Sequence, residues 1–321
     1  MRRTRGIARK TFIGTVALAA ALAFSTPLVD RVHAEKKPEA AKVELSPKEK
    51  KKLNKELVKA VNKGKLEKVK ELVDEGADVN FKDIESYKQF TMGWSPLMYA
   101  CRKGHLEIVE FLVEKGAELS VVETAEATPL MVAAVWRKVD VMEFLISKGA
   151  DVNEKNKYGW TALMSAATNG SLKSVKFLVN NDAEINAKTT SHGENALFLA
   201  VWKSSVERVK IVKFLLKKKA KIDIQNKYEM TPLIRVVYTG SESLTELLLK
   251  KGADVNKKDK EGMTALMWAV RGRDKEIIKL LLSAKNIDIN IKDDEEKTAL
   301  DHARKKWIKK LLKAHGAETG T

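Results

Sequence analysis

Side chains typical of nucleophilic or metal sites are few in this 321-residue chain: it has one cysteine and five histidines, without paired-cysteine or clustered-histidine spacing. The single cysteine, Cys101, excludes an intramolecular disulfide, and we expect it to be a small buried hydrophobe. Histidines are scattered, at His105, His192, His302 and His315 among other positions. The sequence also lacks a glycine-rich phosphate loop and a Gly-x-Ser-x-Gly nucleophile turn. These patterns predict a protein that is not an enzyme and binds no cofactor or metal.

The sequence pattern instead describes a repeated structural unit, seen most clearly from Trp160 to Ala183. Thr161 can cap a helix with its hydroxyl, and Gly170 offers the positive φ that ends one. Apolar residues follow helical spacing on both sides of Gly170, at Leu163, Ala166, Ala167, Leu172, Val175, Leu178 and Val179. The unit therefore predicts a helix, a turn, a second helix and a loop.

This unit recurs along the chain. The position of Thr161 is found again at intervals of 33 to 36 residues, at Ser95, Thr128, Asn195, Thr231, Thr264 and Thr298. Thr-Pro-Leu opens the units at Thr128 and Thr231, and Gly-Ala-Asp-Val-Asn stands at residues 76–80, 149–153 and 252–256. This pattern resembles the ankyrin repeat from about Leu53 to Ala317. The resemblance implies an all-α solenoid of about eight helix-turn-helix-loop repeats, including two capping repeats.

One departure from the family pattern is systematic. The motif histidine of the ankyrin repeat is replaced by Met98, Met131, Met164, Phe198, Ile234 and Met267. In the family this histidine links neighbouring repeats by hydrogen bonds, so we expect apolar packing to replace those bonds here. By contrast, His105 matches a position at the start of the second helix where the family often has histidine, which implies a structural role.

The resemblance also implies where partners bind. In the family, the loop tips and the exposed side of the first helix form a concave recognition surface. The matching positions carry four of the six tryptophans, three of the five tyrosines and several cations: Trp94, Arg102, Lys103, Trp136, Tyr158, Trp160, Trp202, Lys203, Tyr228 and Tyr238. Aromatic rings flanked by cations are typical of binding hot spots. The alternative is that these rings seal the stack. Trp268 and Trp307 match packed helix positions, so we place both in the core.

The net charge of +17 has two components. Six cations and one aspartate before Glu35 contribute +5, so the rest of the chain carries about +12. Most of that excess is lysine, which is typical of a solvated surface, whereas arginine is favoured for bidentate phosphate binding. We interpret the charge as a solvated surface, with an affinity for anionic partners or envelope surfaces as the alternative.

The N-terminal segment is typical of a secretory signal peptide. Residues 1–10 are arginine-rich, residues 11–24 are apolar, and Val32-His33-Ala34 matches a cleavage signal before Glu35. Residues 1–34 are therefore predicted to be a signal peptide. The alternative is an uncleaved membrane anchor, because residues 12–29 contain no charge. In both cases the repeats lie outside the cytoplasm.

The segment after the cleavage signal has little to bury. Residues 35–52 are rich in Lys, Glu, Ala and Pro and predict a flexible charged linker, although Ser46-Pro47-Lys48-Glu49 has capping-box spacing that allows a helix from Pro47. The predicted repeat domain covers residues 53–317. Residues 318–321 are predicted to be a disordered tail.

Two insertions lengthen the standard unit. About seven extra residues between Asn80 and Ser95 add Phe81, Tyr87 and Phe90, and about three extra residues lie around Ser204 to Val209. Insertions in repeat proteins fall in loops on one face, often the binding face, and the alternative is tolerated drift.

The last repeat lacks a break signal. No glycine occurs between Lys297 and His315, and one helical stripe is continuous through Leu300, Ala303, Trp307, Ile308, Leu311 and Leu312. This pattern predicts a single helix from about Ala299 to Ala314, with Trp307 packed on the preceding repeat.

Together these features predict a monomeric, non-catalytic scaffold, exported to the periplasm or cell envelope, that binds a partner protein through the concave aromatic face. A secreted effector that binds a host protein is one alternative. A basic protein that binds the envelope or a polyanion is another. Nucleic acid is disfavoured by export and by the lack of a basic-aromatic groove motif.

Overall fold

The computed structural model describes residues 45–83, 93–120 and 127–320, which form sixteen α-helices in eight helix-turn-helix pairs. The first helices of the pairs are α1 (Pro47–Asn62), α3 (Pro96–Lys103), α5 (Pro129–Val135), α7 (Ala162–Asn169), α9 (Ala196–Ala200), α11 (Pro232–Tyr238), α13 (Ala265–Gly272) and α15 (Ala299–His302). The second helices are α2 (Leu66–Asp74), α4 (Leu106–Glu114), α6 (Val139–Ser147), α8 (Leu172–Asn180), α10 (Val206–Lys217), α12 (Glu242–Lys250), α14 (Lys275–Leu282) and α16 (Lys306–Ala314). These pairs confirm the all-α repeat fold.

The first helices begin where a side chain caps them. The Thr161 hydroxyl accepts a hydrogen bond from the Met164 amide at 3.3 Å. The equivalent side-chain cap is present at Ser95, Thr128, Asn195, Thr231 and Thr264. Gly170 ends α7 in the left-handed region at φ 71°, as its position in the unit predicts.

The core runs between neighbouring pairs. First helices pack on first helices from α1 to α9 and from α11 to α15, and second helices pack on second helices from α2 to α14. The residues that replace the motif histidine lie inside it, with Met98, Met164 and Phe198 at most 1% exposed. Their burial agrees with apolar packing at these positions. Cys101 is fully buried, and burial raises the pKa of its thiol, which makes it an inert core residue.

Asparagines of the loop motif join successive repeats. The Asn153 amide group donates to the Asp182 carbonyl at 3.0 Å, and its carbonyl accepts from the Glu184 amide at 2.7 Å. The same paired bonds are made by Asn80, Asn186, Asn256 and Asn290. This clamp explains why the motif ends in asparagine, whose side chain both donates and accepts.

The insertion in the fifth repeat enters the helices. There α9 has five residues and α10 has twelve, whereas α7 has eight and α8 has nine. The extra N-terminal turn of α10 carries Arg208, which is 8% exposed. Its guanidinium donates to the Ala200 carbonyl at 3.0 Å and to the Thr168 carbonyl, so it caps the ends of two helices. Burial, together with the nearby charge of Arg137, lowers the pKa of Arg208.

Replacing Arg208 with alanine should lower the free energy of unfolding by about 1 to 2 kcal/mol, because the buried Thr168 and Ala200 carbonyls lose their donor. Urea denaturation followed by circular dichroism measures this. Lys210→Ala, on the exposed side of the same helix, is the matched control and should change stability by no more than about 0.5 kcal/mol. Equal midpoints for the two variants would contradict this role.

The first helix begins at Pro47. The Ser46 hydroxyl and the Glu49 carboxylate form the capping box, with 2.6 Å between their oxygens. Residues 47–52 are therefore helical and do not belong to a linker, while residues 1–44 lie outside the described residues.

The predicted disordered tail is wrong for residues 318–320. The Glu318 amide donates to Asn290 at 2.8 Å and the Gly320 amide donates to the Asp301 carboxylate at 2.7 Å. The last asparagine clamp thus ties the C-terminal segment to the final repeat.

The predicted single C-terminal helix is also wrong. After α15 the chain turns at Ala303, whose φ of −76° and ψ of 111° are extended, and α16 starts at Lys306. Extended backbone is open to every residue type, so the break needs no glycine. Trp307 lies on α16 with 39% of its surface exposed, so it does not belong to the core.

Two carboxylates of this last repeat make its stability depend on pH. Burial tends to raise the pKa of Asp293 and Asp301, but hydrogen bonds outweigh it and lower the pKa of both below the usual 3.8. Asp293 accepts from the Lys297 amide and from His302, and Asp301 accepts from the Thr298 and Gly320 amides. A lowered pKa in the folded state stabilises the protein above pH 3.8, and this contribution is lost as pH falls below it.

The amides of residues 293–320 should therefore lose hydrogen-exchange protection as pH falls below 3.8, before the central repeats do. Asp293→Asn with Asp301→Asn is the control and should flatten this dependence. Equal pH dependence of the last repeat and of α7 would contradict the assignment.

Candidate functional site

Three large aromatic side chains are exposed at the ends of first helices. Trp136 follows α5, Trp202 follows α9, and Tyr238 ends α11. Their exposed fractions are 45%, 45% and 59%. α7 packs against both α5 and α9, and Arg235 of α11 reaches the Trp202 ring, so the three rings follow one another along the first-helix side of the stack. The predicted positions Trp136, Trp202 and Tyr238 are thus available to a partner.

Guanidinium groups back two of these rings. Arg102 lies over Trp136 at 4.7 Å from the ring centre, and Arg235 lies over Trp202 at 3.9 Å. Each contact joins adjacent repeats. A cation–π contact at a partly exposed site contributes about 0.5 to 1 kcal/mol and holds the ring in place. Lys103 and Lys203, the other predicted cations, are exposed beside these rings.

Trp268 and Arg271 extend this surface beyond Tyr238. The sequence analysis placed Trp268 in the core. Trp268 is partly buried, its indole N–H donates to the Asp259 carboxylate at 2.6 Å, and its ring meets Tyr238 edge-on at 5.2 Å. Arg271 lies 5.1 Å from the Trp268 ring centre. Neither Arg235 nor Arg271 was singled out from the sequence. The sequence did contain a signal for them: Arg235 and Tyr238 are three residues apart, as are Trp268 and Arg271. Residues three apart share one face of a helix, so each arginine lies on the same face as an aromatic residue.

The loop tips form a continuous edge beside the helix ends. The Asn156 side chain accepts from the Tyr158 amide at 3.0 Å, and Asn226 does the same for Tyr228 at 2.9 Å. Neighbouring tips are joined by backbone bonds, such as that from the Thr190 amide to the Tyr158 carbonyl at 2.9 Å. Tyr158 and Tyr228 are 39% and 49% exposed, so both predicted loop-tip residues face solvent.

Two predicted site residues do not share this exposure. Trp94 is only 8% exposed and meets Tyr99 edge-on at 5.5 Å. Trp160 is partly buried against the core. Both residues directly precede the N-cap residue of a first helix, where the loop returns to the stack and the side chain faces the core. Met263, at the same position of another repeat, is 2% exposed. Trp94 therefore seals the stack, and it is removed from the exposed site.

The insertion after Asn80 is only partly described. Phe81 packs against the core, whereas Tyr87 and Phe90 lie outside the described residues.

The chemistry offered by this surface is noncovalent. Within residues 45–83, 93–120 and 127–320, no group of three or more His, Cys, Asp or Glu side chains is arranged to hold a metal ion. No helix in those same segments is long and apolar enough to cross a membrane. What the surface presents is stacked aromatic rings and guanidinium groups, which are suited to recognising another molecule.

Comparison with known proteins identifies related chains. The family model described as ankyrin repeats matches residues 57–156, 151–226, 197–293 and 233–320. The ankyrin repeat domain of Bcl-3, described as a unique member of the IkappaB protein family, is similar in structure with a TM-score of 0.60 and 27% identity, over 68% of this chain and 98% of that one. Ankyrin repeat and SAM domain-containing protein 6 from Rattus norvegicus is 43% identical over 63 residues, which is 19% of this chain and 7% of that protein.

Proposed function

This chain belongs to the ankyrin-repeat family, and from that premise we propose that it is a non-catalytic scaffold that docks a partner protein on the aromatic surface of its first-helix ends and loop tips. Ankyrin repeats indicate a protein interaction scaffold. The finer assignment rests on one observation: the rings of Trp136, Trp202 and Tyr238 are exposed on the first-helix side of the stack, and guanidinium groups lie over the first two of them.

The size of this surface fits an interface. A fully buried aromatic side chain covers about 150 to 250 Å². These three rings with Tyr158 and Tyr228 are 39% to 59% exposed, so they offer roughly 350 to 600 Å², enough for the central patch of an interface. A standard interface buries about 800 Å² on each partner. Rings held in place by cations lose little freedom on binding, and this favours affinity.

We place the scaffold outside the cytoplasm, in the periplasm or cell envelope, as a monomer. The support is the sequence of residues 1–34, with its basic start, apolar run and Val32-His33-Ala34 signal. Intact-mass analysis of the exported protein decides between a mature chain starting near Glu35 and an anchor retained through residues 12–29. A secreted effector acting on a host protein uses the same surface and differs only in destination.

A polyanion-binding role is the second candidate, favoured by the charge of about +12 after residue 34. Salt separates the two. A protein that neutralises six to ten phosphates loses about a thousandfold or more in affinity between 50 and 200 mM salt, whereas an aromatic interface loses little.

The test is capture of a partner from the native envelope with the mature chain, at 50 and 200 mM salt. We expect a protein that is retained at both salt concentrations and is lost with a Trp136→Ala/Trp202→Ala bait. Retention by that variant, or release at the higher salt, would exclude the proposed mode of binding.

A further inference from the structure

Arginine is confined to one part of the repeat, whereas lysine occurs in first helices, turns and second helices alike. The seven arginines after residue 34 all lie in first helices, in the turns that follow them, or against those helix ends: Arg102, Arg137, Arg208, Arg235, Arg271, Arg273 and Arg304. The second helices otherwise carry lysine as their only fixed cation. Lysine and arginine are equally charged, so solubility alone does not explain this separation.

Acidic side chains are distributed in the opposite way. From α3 to α13, the first helices contain no Asp or Glu. Three of the second helices, α2, α12 and α14, pair lysines internally, as in Lys250 with Glu246 at 2.6 Å and Lys279 with Glu276 at 3.0 Å. All ion pairs within the described parts of the chain use lysine or histidine. The arginines thus form a row of like charges without carboxylate partners from the described residues.

Structure accounts for only some of these arginines. Arg137 and Arg208 donate to backbone carbonyls at the end of α7. Arg102, Arg235 and Arg271 instead lie over aromatic rings. A guanidinium stacked on a ring still presents its N–H edge, and that edge matches a carboxylate through two parallel hydrogen bonds.

We infer that the partner docks through an acidic segment, whose Asp and Glu side chains pair with Arg102, Arg235 and Arg271 while its apolar side chains cover Trp136, Trp202 and Tyr238. This inference rests on the proposed function and names the partner's chemistry. Helices pack about 8 to 10 Å apart, so the five steps from α3 to α13 span roughly 40 to 50 Å. An extended segment covers that distance with about 12 to 15 residues.

Spaced carboxylates fit this surface better than a continuous phosphate backbone. At the end of α7, Arg137 and Arg208 already donate to backbone carbonyls. The guanidinium groups that lie over rings are therefore widely spaced, with Arg102 on α3 and the next, Arg235, on α11. At the C-terminal end of the row, Arg271 and Arg304 line a cleft of about 710 Å³ that is also lined by acidic loop residues, among them Asp294 and Glu295. A nucleic acid would bring phosphates close to those carboxylates, whereas a peptide avoids them by its choice of side chains.

The test is selection of a phage-displayed library of random 15-residue peptides on the full chain in 150 mM salt. Three baits are compared. The first is wild type, and the second is the arginine variant, Arg102→Gln/Arg235→Gln/Arg271→Gln. The third is the control, Lys173→Gln/Lys176→Gln/Lys213→Gln, which removes the same charge from exposed sites on second helices. We expect wild type and control to enrich peptides rich in Asp, Glu and aromatic residues. The arginine variant should bind those peptides at least tenfold more weakly by fluorescence anisotropy.

Several outcomes would overturn the inference. Peptides without acidic enrichment that still need Trp136 and Trp202 would refute it and leave the proposed function standing. Peptides indifferent to both the arginines and the tryptophans, or no selected peptides, would refute both. If a 15-nucleotide single-stranded DNA binds more tightly than the acidic peptides and displaces them, the row of arginines is a nucleic-acid site and the inference is refuted. Thermal melts show whether the triple arginine variant is folded. A second variant, Arg271→Gln/Arg273→Gln, keeps the contact between Arg235 and Trp202, and it should also bind the acidic peptides more weakly than wild type.

Discussion

Replacing Trp136 with alanine should weaken partner binding by about 2 kcal/mol, roughly thirtyfold in affinity, and leave the fold intact. The ring is 45% exposed, and one face lies against Arg102. A partner that covers the other face gains a fixed aromatic anchor. Loss of the ring removes one cation–π contact from the free protein, so its unfolding free energy should fall by about 1 kcal/mol or less.

Isothermal titration calorimetry with the recovered partner measures this loss of affinity. The control is Lys176→Ala on the exposed side of α8, which we expect to bind the partner with unchanged affinity. A Trp136→Ala protein that binds as tightly as wild type would remove this ring from the site. Early unfolding of the same variant would show that the ring seals the stack.

The opposite outcome is expected at Trp94. This ring is 8% exposed and packs against Tyr99, so alanine leaves a cavity between the loop and α3. Replacing a buried tryptophan or phenylalanine with alanine typically costs about 3 to 5 kcal/mol. Urea denaturation should show a loss of this size for Trp94→Ala and a loss several times smaller for Trp136→Ala. If the two variants lose the same unfolding free energy, the difference in exposure does not distinguish a structural role for Trp94 from a binding role for Trp136.

Much of the fold follows from local chemistry that a single sequence displays. A hydroxyl at Thr161 and a glycine at Gly170 each stabilise a helix end by themselves, so a pattern of such residues locates the helices. The break at Ala303 was missed because extended backbone needs no special residue. Around α15, the Thr298 hydroxyl donates to the Glu318 carbonyl and the Gly320 amide donates to Asp301. These contacts join residues about twenty positions apart, so no local motif reports them.

The binding surface was harder to predict because its contacts join different repeats. Whether Arg235 meets Trp202 depends on how α9 and α11 are placed relative to one another, and no local sequence pattern reports that placement. The burial of Trp94 depends on the path of the returning loop. Position within a repeat therefore identifies candidate residues, but the neighbouring repeat decides which of them reach solvent.

Oxidative footprinting of the tryptophans and tyrosines in free and partner-bound protein tests the central claim most directly. The account predicts that bound partner protects Trp136, Trp202 and Tyr238, while Trp307 on α16 remains as reactive as in the free chain. Unchanged reactivity of those three rings, with protection of residues on second helices instead, would contradict it.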